Sequence, residues 1–200
     1  MTYDEWRKTR SCAECNKAHS HGVVRNEIPV KESGIYRVLC LDAATGNTGW
    51  SLYDNKKLVA YGTFNTSTYD DKTARIHEVK VWLQEMIKST LCDAVGLEGI
   101  QLQKNVGMFQ TLANLQGVIL DTLYEKGIRY EVASSSTWRT FAGLNNADAR
   151  ESAKAKAQAW VLMNYHLKCT QDEADAIVMG KYFSNNLKEK KKITWGEDIL

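Results

Sequence analysis

The sequence predicts an α/β fold, a mixed five-stranded sheet of three antiparallel strands and then parallel strands, flanked by helices. Three observations carry this. Three short apolar runs come first, separated by connections short enough to imply antiparallel neighbours. The period then lengthens, with Ile76, Val79, Leu83 and Met86 at helical spacing, and helical and strand patterns alternate from there on. Finally, 200 residues with 44% hydrophobic and 25% charged side chains have the balance of one ordinary soluble domain, which excludes a mainly disordered chain.

The elements follow in order. Tyr36 to Leu41 is almost wholly apolar and ends at Asp42, the pattern of a strand buried on both faces. Ala43 to Gly49 is small and turn-prone. Trp50 to Tyr53 and Leu58 to Phe64 are the next strands, joined by the turn Asp54-Asn55-Lys56-Lys57. After the first helix, Ala94 to Leu97 is a short apolar strand ending at Glu98. Leu112, Leu115, Ile119 and Leu123 mark a second helix, with Gly127 as its stop. Ile128 to Val132 is the fifth strand. Asn146 or Asp148 caps a third helix bearing Ala153, Ala157, Trp160 and Val161, and a last helix begins near Asp172.

This patterning fills residues 35–185. Residues 1–34 form a polar N-terminal extension, and residues 186–200 a basic tail. No apolar run approaches the ~20 residues of a membrane span, and MTYDEWRKTR lacks the apolar core of a secretory signal. The expectation is a cytoplasmic protein with reduced cysteines, no membrane partner, and Cys40 and Cys92 packed as small core residues. A net charge of +2 does not exclude nucleic acid, because local patches decide that.

Four carboxylates stand out by position. Asp42 and Glu98 each end a predicted strand, where functional groups gather in open α/β sheets. Asp172 and Asp175, three apart on the last helix, face the same way. Each also has a plain structural role open to it: turn former for Asp42, loop residue for Glu98, helix N-cap for Asp172. Gathered together, the four would repel unless divalent cations neutralised them, and an oxygen-only set suits Mg²⁺ or Mn²⁺.

The element order is that of the ribonuclease H-like fold, and actin-like ATPase domains begin the same way. The stretch Leu41-Asp42-Ala43-Ala44-Thr45-Gly46-Asn47-Thr48-Gly49-Trp50 resembles the first motif of RuvC-type Holliday-junction resolvases. Leu97-Glu98-Gly99-Ile100-Gln101 resembles their second acidic motif, and Asp172-Glu173-Ala174-Asp175-Ala176-Ile177 their closing one. Ala133-Ser134-Ser135-Ser136-Thr137-Trp138-Arg139 looks like the version in bacteriophage members. The resemblance spans roughly residues 36–183.

The resemblance implies a homodimeric, structure-selective endodeoxyribonuclease acting on branched DNA: four-way junctions, with forks and flaps as further candidates. Asp42, Glu98, Asp172 and Asp175 would hold two Mg²⁺ or Mn²⁺ ions and support hydrolysis to a 5′-phosphate and a 3′-hydroxyl. Arg139 and Lys156 match the family's basic residues near the scissile phosphate, Lys156 with a catalytic role, and Lys154 is the competing choice for DNA contact. The helix from about Asn105 to Lys126 would form the dimer interface, although its Leu/Ile stripe suits core packing equally well. The phage-like motif implies action in a bacterial host's cytoplasm. One departure is Gln101, where bacterial members tend to carry an aromatic residue that helps open the junction. Two alternatives stay open: a non-catalytic branched-DNA-binding module, and an actin-like ATP-binding domain suggested by Asp42-x-x-Thr45-Gly46-x-x-Gly49.

In the N-terminal extension, Cys12, Cys15, His19 and His21 form a candidate zinc set of two sulfurs and two nitrogens. Their spacing is too tight for a standard finger, and the alternative is an arm with free thiols.

Overall fold

The computed structural model of the chain describes residues 22–24, 27–101, 105–144 and 150–187. The strands are β1 (Gly22–Val24), β2 (Arg37–Asp42), β3 (Asn47–Asp54), β4 (Lys57–Asn65), β5 (Ala94–Glu98) and β6 (Arg129–Ala133). The helices are α1 (Lys72–Thr90), α2 (Val106–Glu125), α3 (Ser135–Phe141), α4 (Arg150–Tyr165) and α5 (Gln171–Asn186). The sheet order is β1-β4-β3-β2-β5-β6. Neighbouring strands from β1 to β2 run antiparallel, whereas β2, β5 and β6 run parallel.

All five predicted strands are present in the predicted order. Between β3 and β4, Asn55 and Lys56 both adopt positive φ, +43° and +75°, the backbone of a tight hairpin turn. β1 adds a sixth strand, on the edge of β4. It comes from the segment set apart as an extension, where no apolar alternation marks it.

The sheet is covered on both faces, which is why β2 reads as a continuous apolar run. Leu39 and Leu41 point to one core with Trp50, Leu52, Val95 and Leu97, closed by α1 and α2. Val38 and Cys40 point to the other with Ala94, Ala157, Val178 and Phe183, closed by α4 and α5. Cys40 and Cys92 are buried as expected. On α2, Leu115, Ile119 and Leu123 belong to the first core. Three residues of the Leu/Ile stripe therefore serve internal packing, while Val106 and Met108 in the first turn are exposed.

At the end of the sheet where β2 begins, a buried clamp fixes the register. Arg37, 1% exposed, donates from Nε and Nη2 to the two carboxylate oxygens of Asp54, each at 2.6 Å. Its Nη1 donates to the carbonyls of Thr90 (2.8 Å) and Pro29 (3.1 Å). Asp93 accepts from the Arg37 backbone N–H and pairs with Lys31, both at 2.6 Å. A bidentate guanidinium pair whose Nη1 also donates to two carbonyls is stable where a lone buried charge is not. The clamp also fastens the chain leading into β2.

Candidate active site

The opposite end of the sheet gathers the carboxylates. β2 and β5 are parallel neighbours with Leu41 opposite Leu97, so Asp42 and Glu98 leave adjacent strands at the same level. Side chains alternate along a strand, so Asp42 continues the face of Val38 and Cys40, and Glu98 that of Ala94. That face carries α5.

The sequence lets α5 approach unusually closely. A Cβ on Gly49 would lie 2.1 Å from the Asp172 carbonyl oxygen, and one on Gly96 would lie 2.1 Å from the Phe183 ring. A Cβ on Gly180, on the helix side, would lie 2.3 Å from Ser51 Oγ. Gly49, Ser51 and Tyr53 alternate on one face of β3, and the last two donate to carbonyls of α5. Ser51 Oγ reaches Ala176 O at 2.6 Å, and Tyr53 Oη reaches Ile177 O at 2.8 Å. Since Gly49 pairs with Asp42 across the ladder, the first turn of α5 is seated beside the end of β2.

The N-cap of α5 is Thr170, not Asp172. Thr170 and Glu173 form a capping box: Thr170 Oγ1 accepts from the Glu173 N–H at 3.3 Å, and the Glu173 carboxylate accepts from the Thr170 N–H at 2.7 Å. This box occupies the Glu173 carboxylate and leaves the carboxylates of Asp172 and Asp175 to other partners. Asp172 accepts a hydrogen bond from Asn47 Nδ2 at the start of β3. Asp175, 7% exposed, pairs with Arg139, whose Nη2 lies 3.3 Å from each carboxylate oxygen.

Arg139 is carried by α3, a short helix that the sequence periodicity does not mark. Ser134 caps it, its side chain accepting from the Thr137 N–H. The guanidinium carbon sits 4.3 Å from the ring centroid of the buried Trp138, which helps hold it in place. Gln101, in the position where the family tends to have an aromatic residue, donates to Ser135 Oγ at the start of the same helix.

The electrostatics follow from this packing. Burial pushes the Glu98 carboxyl from its ordinary 4.5 up to about 7; the Asp175 carboxylate adds to the rise and Arg139 opposes it. The Cys40 thiol, fully buried beneath the cluster, is raised by burial and then by Asp42, which keeps it protonated. Glu98, Asp175 and Arg139 thus act on one another, and Asp42 and Glu98 both act on Cys40. Lys156 is half-buried on α4, next to the core residue Ala157, and Lys154 lies on the same helix. Cys12, Cys15, His19 and His21, the tail lysines and the cap choices Asn146 and Asp148 lie outside the described residues.

Among the described residues, no three His, Cys, Asp or Glu side chains already converge on a point that could hold an ion. The donor chemistry nevertheless fits hard divalent cations: oxygen ligands only, on two strand ends and one helix, with one carboxyl kept partly protonated by burial and then by Asp175. Asn47 was not singled out from sequence, because its partner lies 125 residues away.

The family model for crossover junction endodeoxyribonuclease RuvC matches residues 38–180, from β2 into α5. The chain belongs to the RuvC family. Within that family, it is 25% identical over 162 residues to a protein of that name from Caldanaerobacter subterraneus, covering 77% of this chain and 96% of the relative. A match to the protein of that name from Syntrophomonas wolfei is 31% identical over 96 residues, covering 46% of this chain but only 56% of that relative. Among solved structures, Thermus thermophilus RuvC in complex with a Holliday junction substrate superimposes with a TM-score of 0.60 at 15% identity, covering 75% of this chain and 96% of that one. The yeast mitochondrial Holliday junction resolvase gives 0.53 at 13% identity, covering 76% and 80%. These structural likenesses show that the RuvC-family chain has the ribonuclease H-like fold expected for it. No helix among its described residues is long and apolar enough to cross a membrane.

Proposed function

We propose that this RuvC-family chain is a metal-dependent endonuclease that resolves four-way DNA junctions, with Asp42, Glu98, Asp172 and Asp175 as its metal ligands. The observation that supports the reading is that two strand-end carboxylates and two carboxylates of α5 come from elements that meet at one end of the sheet, within the span matched by the family model. Two Mg²⁺ or Mn²⁺ ions bound there would supply an activated water and stabilise the leaving oxygen of an in-line phosphodiester hydrolysis. Products would carry a 5′-phosphate and a 3′-hydroxyl.

The chain's own residues have separable tasks. Asp42 and Glu98 present oxygens from rigid strands, which fixes their spacing. Asp172 and Asp175 add oxygens from a helix seated against those strands. Glu98, held partly neutral near pH 7, gives up its proton as positive charge enters the cluster. Arg139 balances Asp175 in the metal-free protein and would meet a DNA phosphate once cations take over that carboxylate. Lys156, or Lys154 in its place, supplies a further phosphate contact, and such contacts position the backbone without reading bases. The RuvC-type homodimer would present two such sites to opposite strands of one junction. Forks and flaps are secondary candidate substrates. The bacterial host's cytoplasm is the proposed place of action, on the phage-like Ser-rich motif.

The test is cleavage of a synthetic four-way junction by the parent protein and by Asp42→Asn, with Mg²⁺, with Mn²⁺ and with chelator. The parent cuts only with metal. Asp42→Asn keeps the shape and loses a charged ligand, so it binds the junction and leaves it intact. A parent that binds junctions but never cuts them would instead support a non-catalytic junction-binding module.

A further inference from the structure

The N-terminal end of β3 carries a polar side chain that reaches one of the four carboxylates. Asn47 is half-buried, and its Nδ2 donates to Asp172 Oδ2. The orientation of the amide is dictated by chemistry: turned over, its carbonyl oxygen would face an acceptor-only carboxylate.

Asn47 is itself held. The connection before it is braced by Thr48, buried, whose Oγ1 donates to Ala44 O at 3.0 Å. Thr66 donates from Oγ1 to Thr45 O at 2.8 Å and from its backbone N–H to Gly46 O at 2.9 Å. The side Asp172 comes from is fixed as well, because the bare Cα of Gly49 lets the Asp172 backbone sit against β3. The amide therefore spans two anchored backbones. Left alone, a carboxylate in the first turn of a helix turns toward the free N–H groups of that turn or toward solvent. The Asn47 hydrogen bond draws it instead to the sheet edge.

We propose that Asn47 is a positioning residue, whose amide pre-orients the Asp172 carboxylate for metal ligation at the sheet edge. The inference rests on the reading of the four carboxylates as a metal site. A neutral donor suits the task, since it restrains a ligand oxygen without adding a positive charge that would compete with the metal. It leaves the other Asp172 oxygen to take the ion. Arg139 on Asp175 is the contrasting case, a cation that must yield its carboxylate. Partners that orient ligands in this way typically change metal affinity ~10–100-fold when removed.

The experiment is calorimetric titration of the DNA-free full chain with Mn²⁺, for the parent, Asn47→Ala and Asn47→Ser, beside thermal midpoints without metal. The expected result is Mn²⁺ binding weakened about tenfold or more in both variants. Midpoints stay within about 4 °C of the parent, and junction cleavage is largely restored at saturating Mn²⁺. Unchanged Mn²⁺ affinity in a parent and variants that all bind the ion would overturn the role of Asn47 alone. Affinity lost together with a large fall in the midpoint in both variants would make Asn47 a structural residue and overturn it too. A folded parent that binds no Mn²⁺ would remove the metal site itself, and the role of Asn47 with it.

Discussion

Glu98 concentrates the electrostatic consequences of the site. Its folded-state value near 7 lies above its ordinary 4.5, so the folded protein holds this proton where the unfolded chain has released it. The contribution is therefore fully present below pH 4.5, declines as pH rises through the window to about 7, and is gone above it. Metal-free protein should lose thermal stability across that window, and Glu98→Gln should flatten this part of the profile. A profile in Glu98→Gln as steep as the parent's would mean that another group carries it. Metal binding opposes the same proton, so Mn²⁺ affinity should climb as pH rises toward about 7 and then level off. Asp42 and Glu98 are legible as candidate site residues because each ends an apolar run, and Asp172 and Asp175 because the closing motif pairs them. Asn47 and Arg37 were not, since hydrogen bonds to partners distant in sequence leave no periodic trace. Arg37 even reads as the polar blemish of a strand that it in fact anchors.

The decisive element is α5. Its Thr170-x-x-Glu173 start is a capping signature visible in the sequence, yet Asp172 next to it is an equally good cap by residue type. Only the geometry assigns the cap to Thr170 and leaves the two aspartates to the sheet edge. Thr170→Ala should cost about 1 kcal/mol of stability, read by denaturant unfolding. Gly49→Ala is the sharper test of the seating, because its methyl would collide with backbone rather than with a flexible side-chain end. The first turn of α5 must then move away from β3, at a cost of about 1–3 kcal/mol. Cleavage should fall further than stability does, as Asp172 leaves the cluster. Retained cleavage with unchanged stability would contradict the close approach described here. α3 and β1 show the limits of patterning: a seven-residue serine-rich helix and a three-residue edge strand are too short to establish a period, and pairing and caps define them instead.

At the scale of the molecule, the two ends of the sheet have divided roles. The Arg37 clamp fixes one end, and the acidic residues occupy the other, where Arg139 pairs with Asp175 and Asn47 with Asp172. The order of strands and helices was legible because both faces of the sheet are buried, which forces the alternation of apolar runs. The assembly was not, because three residues of the α2 stripe are used internally. A homodimer acting on both sides of a junction should sediment at twice the 22.6 kDa chain mass, and a monomer at working concentrations would contradict this. The most direct test of the central claim is to map incisions on a synthetic four-way junction, with linear duplex of the same sequence as control, in Mg²⁺, Mn²⁺ and chelator. Paired nicks, symmetric across the junction and dependent on metal, with the duplex intact, are the predicted result. Folded protein that leaves the junction uncut in either metal, or that cuts the duplex equally well, would contradict it.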